Sequence, residues 1–377
     1  MAKDAPDLPE PDRIDGAPHP RETLRLFGHG GAEETFLQAF NGGRLHHAWL
    51  ITGAKGVGKA TLAWRLARFL LAQPQDQGGM FAPAAPQTLD VPADDPVARR
   101  ILQMAEPRLF LLRRGANATE TALSSDIRVD EVRKMKSFFA LSAADGGRRV
   151  AIIDCADELN TGAANALLKL LEEPPENVTF FVIAHQPHKL LPTIRSRCRE
   201  LRLSAPTPED LARALEQAGG MVEAEDIVAL GELAQGSVGE AFRLTNQDGL
   251  AFYQKMISLL SRLPRLDRPA TLALAETASA KGAEGRFDMM VTLVDLFLAR
   301  MARAGVMRQL PHEAAQGEGQ LITRWVPDEQ AALLWADLAQ SLSLRARRGK
   351  AVNLDPAALL LDSFLKIEET AAKIANK

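Results

Sequence analysis

The run Gly53-Ala54-Lys55-Gly56-Val57-Gly58-Lys59-Ala60 constrains this chain more than any other stretch. Before it stands an apolar segment, Ala48-Trp49-Leu50-Ile51-Thr52, with the make-up of a buried strand; after it, Lys59 to Ala72 carries helical periodicity. A strand that turns through glycines into a helix gathers consecutive backbone N–H groups and the helix N-terminus at one point, where an anion is favoured. The pattern matches the phosphate loop G-x-x-x-x-G-K-[ST] in all but its last position. Gly53, Gly56 and Gly58 permit the tight backbone, and Lys59 offers its charge to β and γ oxygens. A nucleotide triphosphate is the ligand such a loop suits.

The last position is Ala60, which lacks the hydroxyl that normally ligates magnesium. Thr61 comes one residue later, turned by about 100° around the helix, so it does not stand in without rearrangement. A second strand pattern, Arg149-Val150-Ala151-Ile152-Ile153, ends in Asp154, as a Walker B strand does. In hydrolysing P-loop proteins of this layout a Glu follows that Asp and orients the attacking water; here Cys155 takes its place. Asp157 and Glu158 lie past the strand end, where a cap or solvent role suits them better. Positioning and electrostatics supply nearly all the catalysis of phosphoryl transfer, so a water neither held nor polarised attacks slowly. The residues Gly53, Gly56, Gly58, Lys59, Thr61 and Asp154 are therefore expected to form a vestigial or weak nucleotide site, with ATP or ADP binding weakly, no cofactor required, no metal ligand, and no intrinsic ATPase activity.

Strand patterns at 48–52, 109–112, 150–153, 178–184 and 199–203 alternate with helical ones at 32–40, 59–72, 130–142 and 161–172. That alternation predicts an α/β domain with a parallel sheet covered on both faces. Asp130 is a candidate N-cap for the third helix. Residues 73–97, rich in Gln, Pro, Gly and Ala, predict a surface excursion. After Ala205 strand signals end. Thr207-Pro208-Glu209-Asp210 then opens a helix, with Thr207 as cap, Pro208 in first position and acids complementing the dipole. Four parts result: a flexible leader 1–20, the P-loop domain 21–205, a small helical domain 206–270 and an all-α domain 271–377. Its amphipathic runs fall near 286–304, 327–345 and 355–373.

A chain of 377 residues, 46% apolar, has ample material for these cores. The formal charge of 45 − 48 = −3 argues against a broadly basic nucleic-acid binder, although local patches set an electrostatic footprint. Two cysteines, Cys155 and Cys198, make neither a disulfide scaffold nor a four-ligand zinc site. His185 and His188 have no further ligand pair nearby, and His46 and His47 stand at a strand entrance. No apolar run is long enough to span a bilayer, and the Pro- and Asp-rich N-terminus is unlike a secretory signal. A cytoplasmic protein is expected.

The helix ending Asn165-Ala166-Leu167-Leu168-Lys169-Leu170-Leu171-Glu172-Glu173-Pro174-Pro175, followed by Ile194-Arg195-Ser196-Arg197-Cys198, is far more specific. Together these elements resemble the AAA+ clamp-loader proteins of bacterial DNA polymerase III, from about residue 20 to the end of the chain. The resemblance implies a hetero-pentamer with delta and tau/gamma subunits that loads the sliding clamp on primed DNA. It also implies that 206–270 is a lid and 271–377 an oligomerisation collar, the latter including Asn353-Leu354-Asp355-Pro356. Arg197 would enter the adjacent motor subunit's ATP site as an arginine finger in trans, since a planar guanidinium suits the charge on a transferring phosphate. The other possibility for Arg197 is a surface or intrachain ion pair. Arg195 is less distinctive.

Two departures qualify the likeness. Residues 73–107 hold no cysteine, so the zinc module common in the family is not expected. Gly236-Ser237-Val238 is followed by Gly239 where hydrolysing relatives carry an arginine that senses the γ-phosphate; Arg243 is a turn later. The implied function is a non-hydrolysing subunit; the alternative is an ATP-hydrolysing motor subunit, while a P-loop nucleotide kinase would leave E-E-P-P and S-R-C without purpose. Contact with the DNA phosphate backbone would be independent of sequence. Helix 130–142, with Arg133, Lys134 and Lys136, is the candidate surface. The cluster Arg345, Arg347, Arg348 and Lys350 is a solvated helix end or a partner contact.

Overall fold

A computed structural model describes residues 10–14, 17–74, 85–117, 122–141, 147–279 and 285–375. The chain forms two compact units. One comprises Met1–Gly219 with Ser237–Gly239, and the other Gly220–Gly236 with Glu240–Lys377.

The first unit is built on five parallel strands, β1 (Ala48–Thr52), β2 (Leu109–Leu112), β3 (Arg149–Ile153), β4 (Val178–Ala184) and β5 (Arg199–Arg202), in the order β2-β3-β4-β1-β5. Every residue of β1, β3 and β4 is buried, as expected of parallel strands covered on both sides. Alternate side chains divide between two cores. Trp49, Ile51, Phe181 and Ile183 pack against Leu62, Leu66 and Phe69 of α2 (Lys59–Ala72) and Phe36 of α1 (Gly30–Asn41). On the other face Leu50, Ile153, Phe180 and Val182 meet Val132 and Met135 of α4 (Val129–Leu141) and Leu167 and Leu171 of α5 (Thr161–Glu172). With all strands parallel, their C-terminal ends lie along one edge. The segments after β1, β2, β3 and β4 therefore gather where ligands of open α/β sheets bind.

Several expectations change in detail. Helix α4 begins at Val129, so Asp130 sits in its first turn, paired with Arg133, and is not the cap residue. The stretch 73–97 gives way to a helix the sequence pattern had not predicted, α3 (Pro96–Leu102), capped by Asp95 and burying Val97, Ala98 and Ile101; residues 75–84 lie outside the described ones. Thr207 does cap α7 (Pro208–Gln217), accepting the Asp210 N–H. That helix stays with the P-loop unit: Gly28 abuts Pro206, Arg213 lies over the Phe27 ring, and Gln217 bonds the backbone of Arg25. The first unit thus runs past the expected edge at 205. Part of the expected leader is also held. Glu10 and Asp12 pair with Arg113, Asp12 pairs with the buried His19, and a short 3-10 helix spans Pro20–Glu22. Residues 1–9 lie outside the described ones.

The second unit is helical in its described residues: α8 (Ile227–Ala234), most of α9 (Val238–Asn246), α10 (Gly249–Leu260), α11 (Arg268–Glu276), α12 (Arg286–Met307), α13 (Glu318–Trp325), α14 (Glu329–Ala351) and α15 (Pro356–Ala375). The last three amphipathic runs appear as α12, α14 and α15, each longer than its sequence pattern, with Phe297, Trp335 and Phe364 fully buried. Across the described residues, no helix is long and apolar enough to cross a membrane.

Candidate functional site

The phosphate loop joins β1 to α2, and two of its glycines are required by space as well as by backbone. Gly53 has φ +145°, and a Cβ there would stand 2.6 Å from the Leu203 carbonyl oxygen. Gly56 has φ +83°, and a Cβ would fall 1.9 Å from the Ser237 hydroxyl; the Val238 N–H donates to the Gly56 carbonyl at 2.9 Å. Left-handed backbone of this kind is open to glycine at no steric cost. Gly58 is the N-cap residue of α2, so Lys59, Ala60 and Thr61 form its first turn.

Lys59 is 3% exposed, and its ammonium donates to the loop's own carbonyls, Gly53 at 2.8 Å and Ala54 at 2.6 Å. Burial pulls its pKa down to about 8, against the attraction of Asp154 and Asp157. Asp154 directly follows β3 and is pushed up to about 7, first by burial, then by the charges of Asp12 and Glu158, while Lys59 and Arg113 oppose the rise. Lys59 and Asp154 face one another electrostatically, yet for both the loss of water outweighs the attraction.

This arrangement can be tested by titration. Between about pH 4 and 7 the folded chain keeps the Asp154 proton that the unfolded chain has released. The unfolded state then binds fewer protons, so this carboxyl's contribution to stability falls as pH rises through that window. Asp154→Asn is expected to remove the fall: the variant gains on the parent from pH 4 to 7 and holds its lead above pH 7. Unfolding midpoints measured across pH 4–8 check it, and parallel curves would contradict it.

The residues past β3 are engaged elsewhere. Cys155, in the place of a water-orienting acid, is 4% exposed, and burial pushes its thiol pKa up. Asp157 accepts the His185 N–H at 2.8 Å, and Glu158 pairs with Arg114 at 2.9 Å. At Gly239 a Cβ would fall 2.2 Å from Ile14 Cδ1, so the N-terminal segment fills the space a longer side chain would enter. Arg243 is committed to Glu240 through two hydrogen bonds.

The hydrolytic metal site of a P-loop protein needs a hydroxyl after the lysine and a charged carboxylate. Ala60 offers no hydroxyl after the lysine. One ligand that the protein ordinarily gives magnesium at a phosphate loop is therefore missing from this chain. Among the described residues no group of three or more His, Cys, Asp or Glu is arranged to hold a metal ion.

Gly53, Gly56, Gly58, Lys59, Thr61 and Asp154 are thus brought to one end of the sheet. The Glu10–Asp12–Arg113 cluster and Ile14 beside it were missed by sequence reasoning. Arg197 lies apart from them, just after α6 (Pro192–Arg195). One guanidinium N–H donates to the Thr193 carbonyl at 2.9 Å, and the other terminal nitrogen pairs with Glu172 at 2.9 Å, with the side chain 35% exposed. On α4, Arg133 and Lys134 pair with Asp130 and Glu131 within the helix. In the expected basic cluster, Arg345 pairs with Asp362 and Lys350 with Asp288.

The phosphate loop on β1 of a parallel sheet, with the Walker B strand two places away, defines a P-loop domain of the AAA+ type. A family model described as DNA polymerase III, delta subunit, matches residues 28–207. The delta' subunit of DNA polymerase III from Yersinia pestis is 30% identical over 309 residues, covering 74% of this chain and 85% of that one. The delta' subunit from Pseudomonas aeruginosa is 36% identical over 214 residues, covering 55% of this chain and 58% of that relative's length. The tau subunit from Escherichia coli (strain K12) is 29% identical over 281 residues, 67% of this chain and 40% of that one. The chain belongs to the delta' subunit family of DNA polymerase III.

Proposed function

We propose that this chain is a non-hydrolysing subunit of the DNA polymerase III clamp loader. In this role it joins delta and tau/gamma subunits in a hetero-pentamer and helps load the sliding clamp on primed DNA. Within residues 206–270, whose first helix packs on the P-loop unit, the helices act as the lid, and 271–377 acts as the collar. Arg197 serves in trans, stabilising the transferring phosphate at a neighbour's ATP. The chain's own loop holds ATP or ADP weakly, and neither zinc nor another cofactor is required. DNA contact is to phosphates alone, and the complex works in the cytoplasm. The observation that carries this is the loop's own site: Lys59 bonds Gly53 and Ala54, beside Ala60 and a carboxyl raised to about 7.

The likeness to tau favours a second reading, a motor subunit that hydrolyses ATP. Ala60, Cys155 and the Ile14-filled space at Gly239 weigh against it. Reconstitution tests the proposal. Mixed with delta and tau/gamma subunits, the chain is expected to co-elute as one hetero-oligomer whose ATP turnover depends on Arg197. A chain that elutes alone would contradict it.

A further inference from the structure

The E-E-P-P element ends a helix without any evident task in its own chain. Glu172 is the last residue of α5, at the negative end of the helix dipole, where a carboxylate is locally unfavourable. A cation beside it offsets both charges, and that cation is Arg197, 2.9 Å away. We propose that Glu172 is a positioning residue for Arg197, holding the guanidinium in the orientation it presents to a neighbouring subunit. The proposal rests on the finger reading above.

The frame around the pair is rigid. Leu167, Leu170 and Leu171 of α5 share one buried cluster with Ile194 of α6, so the end of α5 and the short helix before Arg197 are packed on a common core. Glu173 is the C-cap residue, and Pro174 and Pro175 after it cannot extend the helix, which keeps Glu172 in its terminal turn. From this frame two acceptors, the Glu172 carboxylate and the Thr193 carbonyl, face the two terminal nitrogens of the guanidinium. A guanidinium carries five N–H donors, so a pair held in this way still has donors to offer a phosphate. Fixing a long side chain before the partner arrives reduces the ordering needed at the moment of reaction. The motif pair separated by twenty residues in sequence then has a shared purpose: L-L-E-E-P-P sets the carboxylate, and S-R-C supplies what it holds.

A half-exposed ion pair contributes little to stability, so the effect belongs in turnover rather than folding. In the reconstituted complex, Glu172→Ala is expected to lower kcat at the adjacent site about tenfold, with the KM for ATP unchanged. Glu172→Asp should recover part of the loss, and Glu173→Ala should match the parent. Single-turnover rates in an Arg197→Ala background decide whether the effect runs through the arginine: there Glu172→Ala is expected to change nothing further. Parent-like or raised turnover in Glu172→Ala, with Arg197→Ala still defective, overturns the positioning role alone. A tenfold loss that persists without Arg197 also overturns it. If Arg197→Ala itself keeps full turnover, the finger reading falls and this inference falls with it.

Discussion

With Arg197 replaced by alanine, ATP turnover at the adjacent subunit's site is expected to fall about 10³-fold while the complex still assembles. The size follows from what an arginine finger does. Charge spreads over the equatorial oxygens of the transferring phosphate, and a guanidinium fixed at that point in a site shielded from water stabilises it without reorganisation. In the isolated chain the side chain is partly exposed and held by Thr193 and Glu172, both polar acceptors at the unit's surface. Truncation removes no buried packing, so folding and assembly should survive it. The readout is clamp- and DNA-stimulated turnover of the reconstituted complex. Unchanged turnover in an assembled complex would remove the finger from the account.

Glu318→Ala is expected to cost about 3–5 kcal/mol of stability, the range for breaking one partner of a buried ion pair. Glu318 is fully buried. Its carboxylate accepts from Arg300 at 2.7 Å and 3.2 Å, from the Tyr253 hydroxyl at 2.7 Å and from the Ala314 N–H at 2.8 Å. Burial alone would lower the Arg300 pKa, but the bonds and charge of Glu318 turn the shift upward; the Tyr253 pKa rises, through burial and that same carboxylate. Removal leaves a hydroxyl and an N–H without their acceptor, and Arg300 with Glu232 and the His312 carbonyl. Because the carboxylate ties α10, α12 and α13 together, the loss should appear as a lower denaturant midpoint. A change under about 1 kcal/mol, the worth of a surface pair, would show that the network is not what secures those helices.

Much of the P-loop unit was legible because its strands are short apolar runs and its glycines and lysine stand at fixed spacing. The bounds of β1, α2, β2, α5 and β4 agree with the sequence patterns residue for residue. What escaped depends on partners distant in the chain. Nothing local in a Pro- and Asp-rich N-terminus announces that Glu10 and Asp12 meet Arg113, about a hundred residues away, or that Ile14 rests against Gly239. Helix α3 was hidden by the Pro- and Ala-rich stretch before it. Asp95-Pro96, a cap residue followed by proline in first position, was the signal that could have revealed it. Asp130 illustrates the usual uncertainty at helix ends, where a cap and a first-turn acid look alike in sequence. Glu172 and Arg197 were each visible within motifs, but their contact follows from α5 and α6 packing on one core.

The proposed loss of hydrolysis from this chain's own loop rests on Ala60, Cys155 and Gly239 together. ATP turnover by the purified chain, alone and with primed DNA, tests it most directly. No turnover above background, and no difference between the parent and Lys59→Ala, is the expected result. DNA-stimulated turnover that Lys59→Ala abolishes would contradict it.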